Sequence, residues 1–313
     1  MQYLDKIEIN RIDSKLKLFN KHRPLPKSLI LKLKDQFAIE MTYNSNGIEG
    51  NSLTLKETFL VINEGLTVKN KPLKDHLEAK DHFEAIEFLA ELVENDRQHT
   101  ISERLIRNLH QIITRETEKE QSGKYRDGNV IITGSKHRPP EAFEISRLMS
   151  NLVRWTKENQ IKLHPIELSA IFHHKLVFIH PFFDGNGRTA RLAMNLFLMQ
   201  KGYPLVVILK NDRKKYYDAL AKADRGDWNV LIKLVSQSVE RSLNMYLRVI
   251  EPKLKKQEKY QSLSQIASKT RYSTKYLNLL ARKGKIEAHK EGRDWLSTLN
   301  AIEIYIANRK RKK

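Results

Sequence analysis

The chain has 313 residues, with 57 Lys and Arg against 37 Asp and Glu for a formal charge of +20, and no cysteine. Its 40% hydrophobic and 30% charged residues describe a globular chain long enough for two domains; the lack of thiols excludes a disulfide framework, a thiol nucleophile, thiolate-bound zinc and iron–sulfur ligation. The excess of cations favours solubility or attraction to polyanions such as nucleotides, nucleic acid or acidic proteins, without choosing among them.

The amino terminus, MQYLDKIEINRIDSK, has acids and bases in its first dozen residues and no apolar signal core. The longest later apolar runs, LVFI and PLVVIL, are too short to span a bilayer, so a cytoplasmic location without membrane partners is expected. Through residue 250 the pattern predicts helices, because apolar residues recur at three- and four-residue steps, as in Leu105, Leu109, Ile112 and Ile113 or Leu231, Leu234, Val235 and Val239. Two stretches break this rhythm: Thr42 to Leu55, and Ser122 to Pro140. In the second, turn-rich flanks enclose β-branched Val130, Ile131 and Ile132, which predict a short strand in a hairpin flap.

Further on, LVFIHPFFDGNGRTARL (Leu176 to Leu192) gathers the parts of a phosphate-handling site. Gly185, Asn186 and Gly187 permit close backbone approach and positive φ, so successive amides can converge on an anion at a helix start. Arg188 and Arg191 are three apart on that helix and can grip phosphate oxygens. Asp184 is a hard oxygen ligand of the kind Mg²⁺ takes beside phosphates, and His180 is placed to take a proton from an attacking hydroxyl. A G-x-G-x-x-A dinucleotide fingerprint, Gly185, Gly187 and Ala190 with Asp212 downstream, also fits by spacing, but that motif needs a strand running straight into its first glycine, and residues 180–184 intervene.

Charge shifts near Glu251: residues 253–313 hold 17 Lys and Arg against 5 Asp and Glu, a net +12, which leaves +8 for the first 252. The expected division is an N-terminal helical region over 1–95, a core over 96–250, a polar linker over 251–262 with Pro252, and a basic module over 263–313 ending in RKRKK. In that module, SLSQIASKTRYSTKYLNLLARKGKIEAHKEGRDWL predicts two short helices, a turn near Tyr272 and Ser273, and a hairpin containing Gly-Lys, the layout of a winged helix-turn-helix. Lys275, Asn278, Arg282 and Lys283 on its second helix, with Arg293 on the wing, make DNA a candidate partner.

The stretch His180 to Arg191 matches every fixed position of HPFx[D/E]GNGRxxR, and on it the chain resembles the Fic family. The resemblance extends to HPIE at His164 to Glu167, the flap with Pro139 and Pro140, YYDAL at Tyr216 to Leu220, and Gly226–Asp227. It implies a mainly α protein: a multi-helical Fic-type core with a small β-hairpin flap, joined to the C-terminal winged helix-turn-helix domain. It implies transfer of AMP from ATP, with Mg²⁺, to a Ser, Thr or Tyr hydroxyl of a protein, the chain itself included. By that resemblance His180 is the base, Asp184 holds Mg²⁺, and the Gly185 to Gly187 backbone with Asn186 cradles the α- and β-phosphates. Arg188 grips phosphate, Arg191 meets the γ-phosphate, Phe182 anchors the loop and Tyr217 lines the adenine pocket. Flap residues Ile131, Ile132 and Thr133 would hold an extended target by strand addition.

The earlier break then acquires a meaning, because Ser45 to Gly50, SNGIEG, matches the family's inhibitory pattern [S/T]xxxE[G/N]. A Glu49 carboxylate on Arg191, with Ser45 beside it, would neutralise the cation meant for the γ-phosphate. The same carboxylate could instead align a water that removes AMP from a modified protein. A nucleotide-sensing DNA-binding regulator is the reading from another class, and a homodimer is compatible with all of them.

Overall fold

In this computed structural model, residues 3–23, 27–95, 101–250 and 260–310 are described. The elements are α1 (Lys6–Lys21), α2 (Lys27–Glu49), α3 (Leu55–Asn63), α4 (Leu73–Asn95), α5 (Glu103–Thr114), α6 (Ile145–Asn159), α7 (Pro165–Ile179), α8 (Asn186–Gln200), α9 (Arg213–Ala223) and α10 (Asn229–Ile250). They are followed by β1 (Gln261–Ser262), α11 (Leu263–Ala267), α12 (Thr274–Arg282), β2 (His289–Glu291), β3 (Asp294–Ser297) and α13 (Leu299–Lys310). The expected mainly α architecture is present. None of the described helices is long and apolar enough to cross a membrane.

Two compact units emerge: Met1–Tyr3 with Pro26–Ile232, and Leu4–Leu25 with Lys233–Lys313. The first is built around α7 and α8. Both are buried on nearly every side: Leu168, Ala170, Ile171, Phe172 and Leu176 on α7, and Ala190, Leu192, Ala193, Met194, Leu196 and Leu198 on α8, with the polar Asn186, Arg188, Arg191 and Asn195 of α8 enclosed as well. Helices α2, α4 and α5 pack around α8 beside α7, so its polar residues are met by groups of those elements and its N-terminus opens within the body of the unit. The amphipathic pattern read in α5 holds, with Leu105, Leu109 and Ile113 buried, as does that of Leu231, Leu234, Val235 and Val239 in α10.

The second unit takes in α1, which the division by charge left with the N-terminal region. Buried Glu8 pairs with Lys233 and accepts from Ser236 at 2.5 Å, and buried Glu240 receives Arg11 at 2.6 Å and Lys15 at 2.8 Å. These pairs join residues more than 220 positions apart, which a local charge count cannot register. Leu263, Ile266, Leu277, Leu280, Ile286, Trp295 and Ile302 form its core beside a three-stranded antiparallel sheet in the order β1-β3-β2. The register pairs Gln261 with Ser297 and His289 with Leu296. Ser273 caps α12, as the predicted turn requires, while the hairpin reverses at Gly292 (φ 58°) and the Gly-Lys pair, with Gly284 at φ 61°, instead ends α12. The greater part of the expected linker, residues 251–259, and the tail residues 311–313 lie outside the described residues.

Two local expectations are corrected. Residues 42–49 do not interrupt the helical rhythm: α2 runs through them to Glu49. Asn, Ser and Gly weaken helices largely by offering competing local hydrogen bonds. Here Asn44 accepts from the Lys210 amide, Ser45 from Arg191, and Asn46 donates to the Glu78 carbonyl, so neighbouring elements take up those groups. The flap forms no hairpin either. No strand occurs among residues 122–140, whose return leg carries Pro139 and Pro140, neither of which can donate to a ladder.

Candidate active site

Sequence dictates a sharp change of direction between α7 and α8. Helix α7 starts at Pro165 behind a His164–Glu167 capping box and ends where His180 adopts φ 51°, ψ 58°. A left-handed non-glycine residue costs about 1–2 kcal/mol, a strain the surroundings must hold. Arg126 holds it from the carbonyl side, donating to His180 O at 2.8 Å, while its own amide donates to Pro181 O at 2.9 Å. The His180 ring is half-buried, and Nδ1 faces Val177 O at 3.4 Å, which leaves Nε2 as the acceptor. Burial, helped by the nearby Arg126 guanidinium, lowers its pKa to about 4. The imidazole is therefore neutral at physiological pH and able to take a proton.

The turn that follows is closed by its own side chains. Buried Asn186 accepts from Phe182 N at 3.0 Å and donates to Phe182 O at 2.9 Å, and Phe182 itself is fully buried. Gly185 stands at φ 73° as the N-cap of α8, where a Cβ would meet Thr114 Cγ2 at 3.0 Å, so glycine is required both by conformation and by space. The first α8 hydrogen bond runs from Thr189 N to Gly185 O, and the amides of Asn186, Gly187 and Arg188 precede it, aligned as an anion-binding end.

His110 stacks on Phe182 with ring centroids 3.7 Å apart, accepts from Gly123 N at Nδ1 and donates from Nε2 to Asp184 O at 3.0 Å. Burial lowers its pKa to about 4 and keeps it in this neutral form. The Asp184 carboxylate is half-exposed; burial opposes its charge, but Arg188, the Gly185 amide at 2.6 Å and Lys74 hold its pKa below the ordinary value. It presents an ionised oxygen donor next to the α8 amides.

Arg188 and Arg191 are both buried on α8, each beside a carboxylate from elsewhere in the unit. Arg188 lies 3.3 Å from Glu78 and 3.5 Å from Asp184. Arg191 donates to Glu49 Oε1 at 2.6 Å, to Ser45 Oγ and Ser45 O at 2.9 Å each, and to Tyr216 OH at 3.3 Å. Ser45 and Glu49 are one turn apart on α2, so one face of that helix delivers both to Arg191. Burial works against the Arg191 charge, and Glu49 and Tyr216 together outweigh it, so its pKa stands above the usual guanidinium value. His82, enclosed near both arginines, is held neutral by burial and by their charges.

The Glu49 carboxylate also lies on the anion-binding turn. A Cβ added at Gly187 would come within 2.2 Å of Glu49 Oε1, so the missing side chain is what admits the carboxylate to the first turn of α8. Glu49 is the last residue of α2, at the negative end of its dipole, where no basic residue of the same turn compensates it. Compensation comes from Arg191 and from Arg213, which donates to Ile48 O at 2.6 Å. Tyr217 completes this group, with its hydroxyl 3.3 Å from Ile48 O and 3.4 Å from Glu49 Oε2 and its ring under Arg213.

The flap is bound at its legs and open between them. Arg126 donates to Gly128 O at 2.8 Å and to Pro140 O at 2.5 Å; Asn129 bonds Glu141 and accepts from Ala142 N; His137 meets Phe178 O at 2.8 Å. These side-chain bonds stand in for a strand ladder. Ile131 is 75% exposed, and among the described residues no hydrogen bond joins Ile131, Ile132 or Thr133 to the turn at His180. Arg126, His110, Glu78 and Tyr216 were not singled out as site residues by the sequence reading. Their partners are main-chain groups or residues far along the chain, for which no local motif exists.

Comparison with known proteins gives the same direction. The profile of the Fic/DOC family matches residues 100–198. A protein adenylyltransferase Fic from Nematostella vectensis is 36% identical over 254 residues, 79% of this chain and 57% of that protein. Its counterpart from Culex quinquefasciatus is 34% identical over 249 residues, 79% of this chain and 49% of that protein. The chain thus spans about half the length of the curated relatives it matches. Among solved structures, a Fic domain containing signaling protein from Bacteroides thetaiotaomicron superimposes with a TM-score of 0.71 at 29% identity, covering 78% of this chain and 96% of that one.

Proposed function

The chain belongs to the Fic family, and on that premise we propose that it transfers AMP from ATP to a hydroxyl side chain of a protein, under restraint by Glu49. The observation that carries this reading is the Glu49–Arg191 contact over Gly187, which puts a carboxylate where the α8 amides and a buried guanidinium would otherwise receive phosphate oxygens. His180 Nε2 takes the proton from the target's Ser, Thr or Tyr hydroxyl as its oxygen bonds the α-phosphorus, and the bond to the leaving pyrophosphate breaks. The Asn186, Gly187 and Arg188 amides and the Arg188 guanidinium stabilise the negative charge of the reacting phosphates. Arg191, freed of Glu49, takes the γ-phosphate, and Tyr217 borders the adenine. Asp184, ionised and half-exposed, fits Mg²⁺, which typically pairs one or two carboxylates with phosphate oxygens and would supply further neutralisation of charge. Exposed Ile131, with Ile132 and the turn residue Thr133, offers main-chain groups to the target's main chain.

The division of labour follows: residues 1–95 regulate, 96–250 catalyse, and 263–313 form a winged-helix-like module. Its helix, helix, hairpin order and the exposed Lys275, Arg282, Lys283 and Arg293 support a basic contact surface for DNA. The test is incubation of Glu49→Gly with Mg²⁺ and ATP labelled at either the α- or the γ-phosphate, followed by mass spectrometry of the chain and of added proteins. Label from the α position alone supports the proposal. Label from the γ position, or release of AMP from a modified protein that depends on Glu49, replaces it with phosphoryl transfer or with hydrolysis.

A further inference from the structure

A cavity of about 480 Å³ opens between one face of α5 and the segment that leads into the flap. Arg104, Arg107 and Gln111 contribute from α5, and Ser122, Gly123 and Lys124 from the segment; none of the residues that line it is acidic. Among the described residues neither Arg104 nor Lys124 has a carboxylate partner, and Arg107 spends its Nε on Gly123 O at 2.7 Å, with its guanidinium over the Tyr125 ring. The neighbouring acid, Glu103, is taken up by Tyr125 OH at 3.1 Å and Ser150 Oγ at 2.6 Å.

The wall is built rather than loose. Gly123, at φ 71°, packs so close to α5 that a Cβ would lie 3.1 Å from Gln111 Cβ and 3.3 Å from Arg107 O, and Ser122 Oγ donates to Gln111 O at 2.8 Å. Two arginine forks one helical turn apart and an ammonium facing them match a compact group with two or more charged oxygens better than a single carboxylate. The Tyr125 ring is covered by Arg107, so no aromatic face is offered to a nucleobase.

We propose that this cavity binds a phosphate group, carried either by a free phosphate compound or by a phosphorylated side chain. Its floor leads to the Asp184 turn: Gly123 N–H donates to His110 Nδ1, and His110 Nε2 donates to Asp184 O. An occupant that shifts Gly123 is therefore felt, through one imidazole, at the main chain of the proposed Mg²⁺ ligand.

The experiment follows backbone amides of the full chain by NMR without ATP or Mg²⁺. The probes are inorganic phosphate, a phosphoserine peptide, and the same peptide with Glu in place of phosphoserine. Saturable shifts at Ser122, Gly123 and Lys124 are expected with phosphate, with the phosphopeptide, or with both, which tells a free source from a protein one. The affinity should fall at least tenfold in Arg104→Ala/Lys124→Ala and hold in Lys157→Ala/Lys162→Ala, a pair of exposed lysines whose loss changes the net charge equally. Absence of a saturable shift at Gly123, equal loss in both double variants, or equal binding of the Glu peptide overturns the proposal. These spectra contain no nucleotide, and adenylyl transfer is read in the separate incubation with labelled ATP, so a failure at this cavity and a failure of adenylyl transfer are told apart.

Discussion

The turn at residues 180–191 and the flap at 122–140 face the same chemistry with opposite construction. In the turn the geometry is fixed while the anion-binding groups stay open: Asn186 closes it, His110 and Arg126 hold its carbonyls, and Arg188 and Arg191 are buried beside carboxylates. In the flap the legs are tied and the middle is bare. A reacting centre gains from fixed geometry, because misplacement by an ångström is costly, whereas a surface that adds a strand needs main-chain groups still unspent.

The contrast can be broken most strongly at His180. His180→Ala should lower AMP transfer by about 10²–10⁴-fold while leaving the circular dichroism spectrum and ATP affinity near those of the parent, since it removes a proton acceptor and not an anion contact. Loss of ATP binding of similar size would make the residue structural.

Next is the carboxylate on the turn. A charge-assisted hydrogen bond is worth about 1.5–3 kcal/mol, so Glu49→Gly should strengthen ATP binding by about tenfold or more in calorimetry. Adding Gly187→Ala to that variant should remove the gain, because the new Cβ fills the space Glu49 Oε1 occupied. Unchanged affinity in the double variant would separate the carboxylate's place from the nucleotide's.

Arg126 joins the two regions, bonding His180 O on one side and Gly128 O and Pro140 O on the other. Arg126→Ala should cost about 2–4 kcal/mol in denaturant unfolding by leaving carbonyls without a donor, and should raise KM for a protein target more than for ATP. Arg126→Lys should restore little, since one ammonium cannot reproduce a planar fork. Equal effects on both KM values would mean that the flap and the turn are not held apart.

The last effect appears only as pH falls. His110 has a folded pKa near 4 against an ordinary 6.5. Above pH 6.5 it is neutral in both states and contributes nothing to the pH dependence. As pH falls from 6.5 toward 4 the unfolded chain takes up a proton that the folded chain refuses, so stability drops, by up to about 3 kcal/mol from this group. His180, lowered to about 4 for the same reason, shifts stability in the same direction and moves the acid limb of kcat/KM for the free enzyme toward pH 4. A limb at 6.5 would contradict the burial of that ring.

The turn was legible in the sequence because its glycines, cations, acid and imidazole are contiguous and each is required by local chemistry. Ser45 and Glu49 were legible as a pattern, but the helix that carries them was not, because the groups that take up Asn44, Ser45 and Asn46 come from Lys210, Arg191 and Glu78. Val130 to Ile132 suggested a strand, yet strand formation depends on a partner, and Pro139 and Pro140 deny one on the return leg. His110 and Arg126 act on carbonyls 50 or more residues away and leave no local trace.

The most direct test is a crystal structure of Glu49→Gly with Mg²⁺ and a nonhydrolysable ATP analogue. Phosphate oxygens are expected on the Asn186, Gly187 and Arg188 amides, the γ-phosphate on Arg191, and the α-phosphorus facing His180 Nε2. A triphosphate bound elsewhere, or an imidazole turned away from it, would contradict the account.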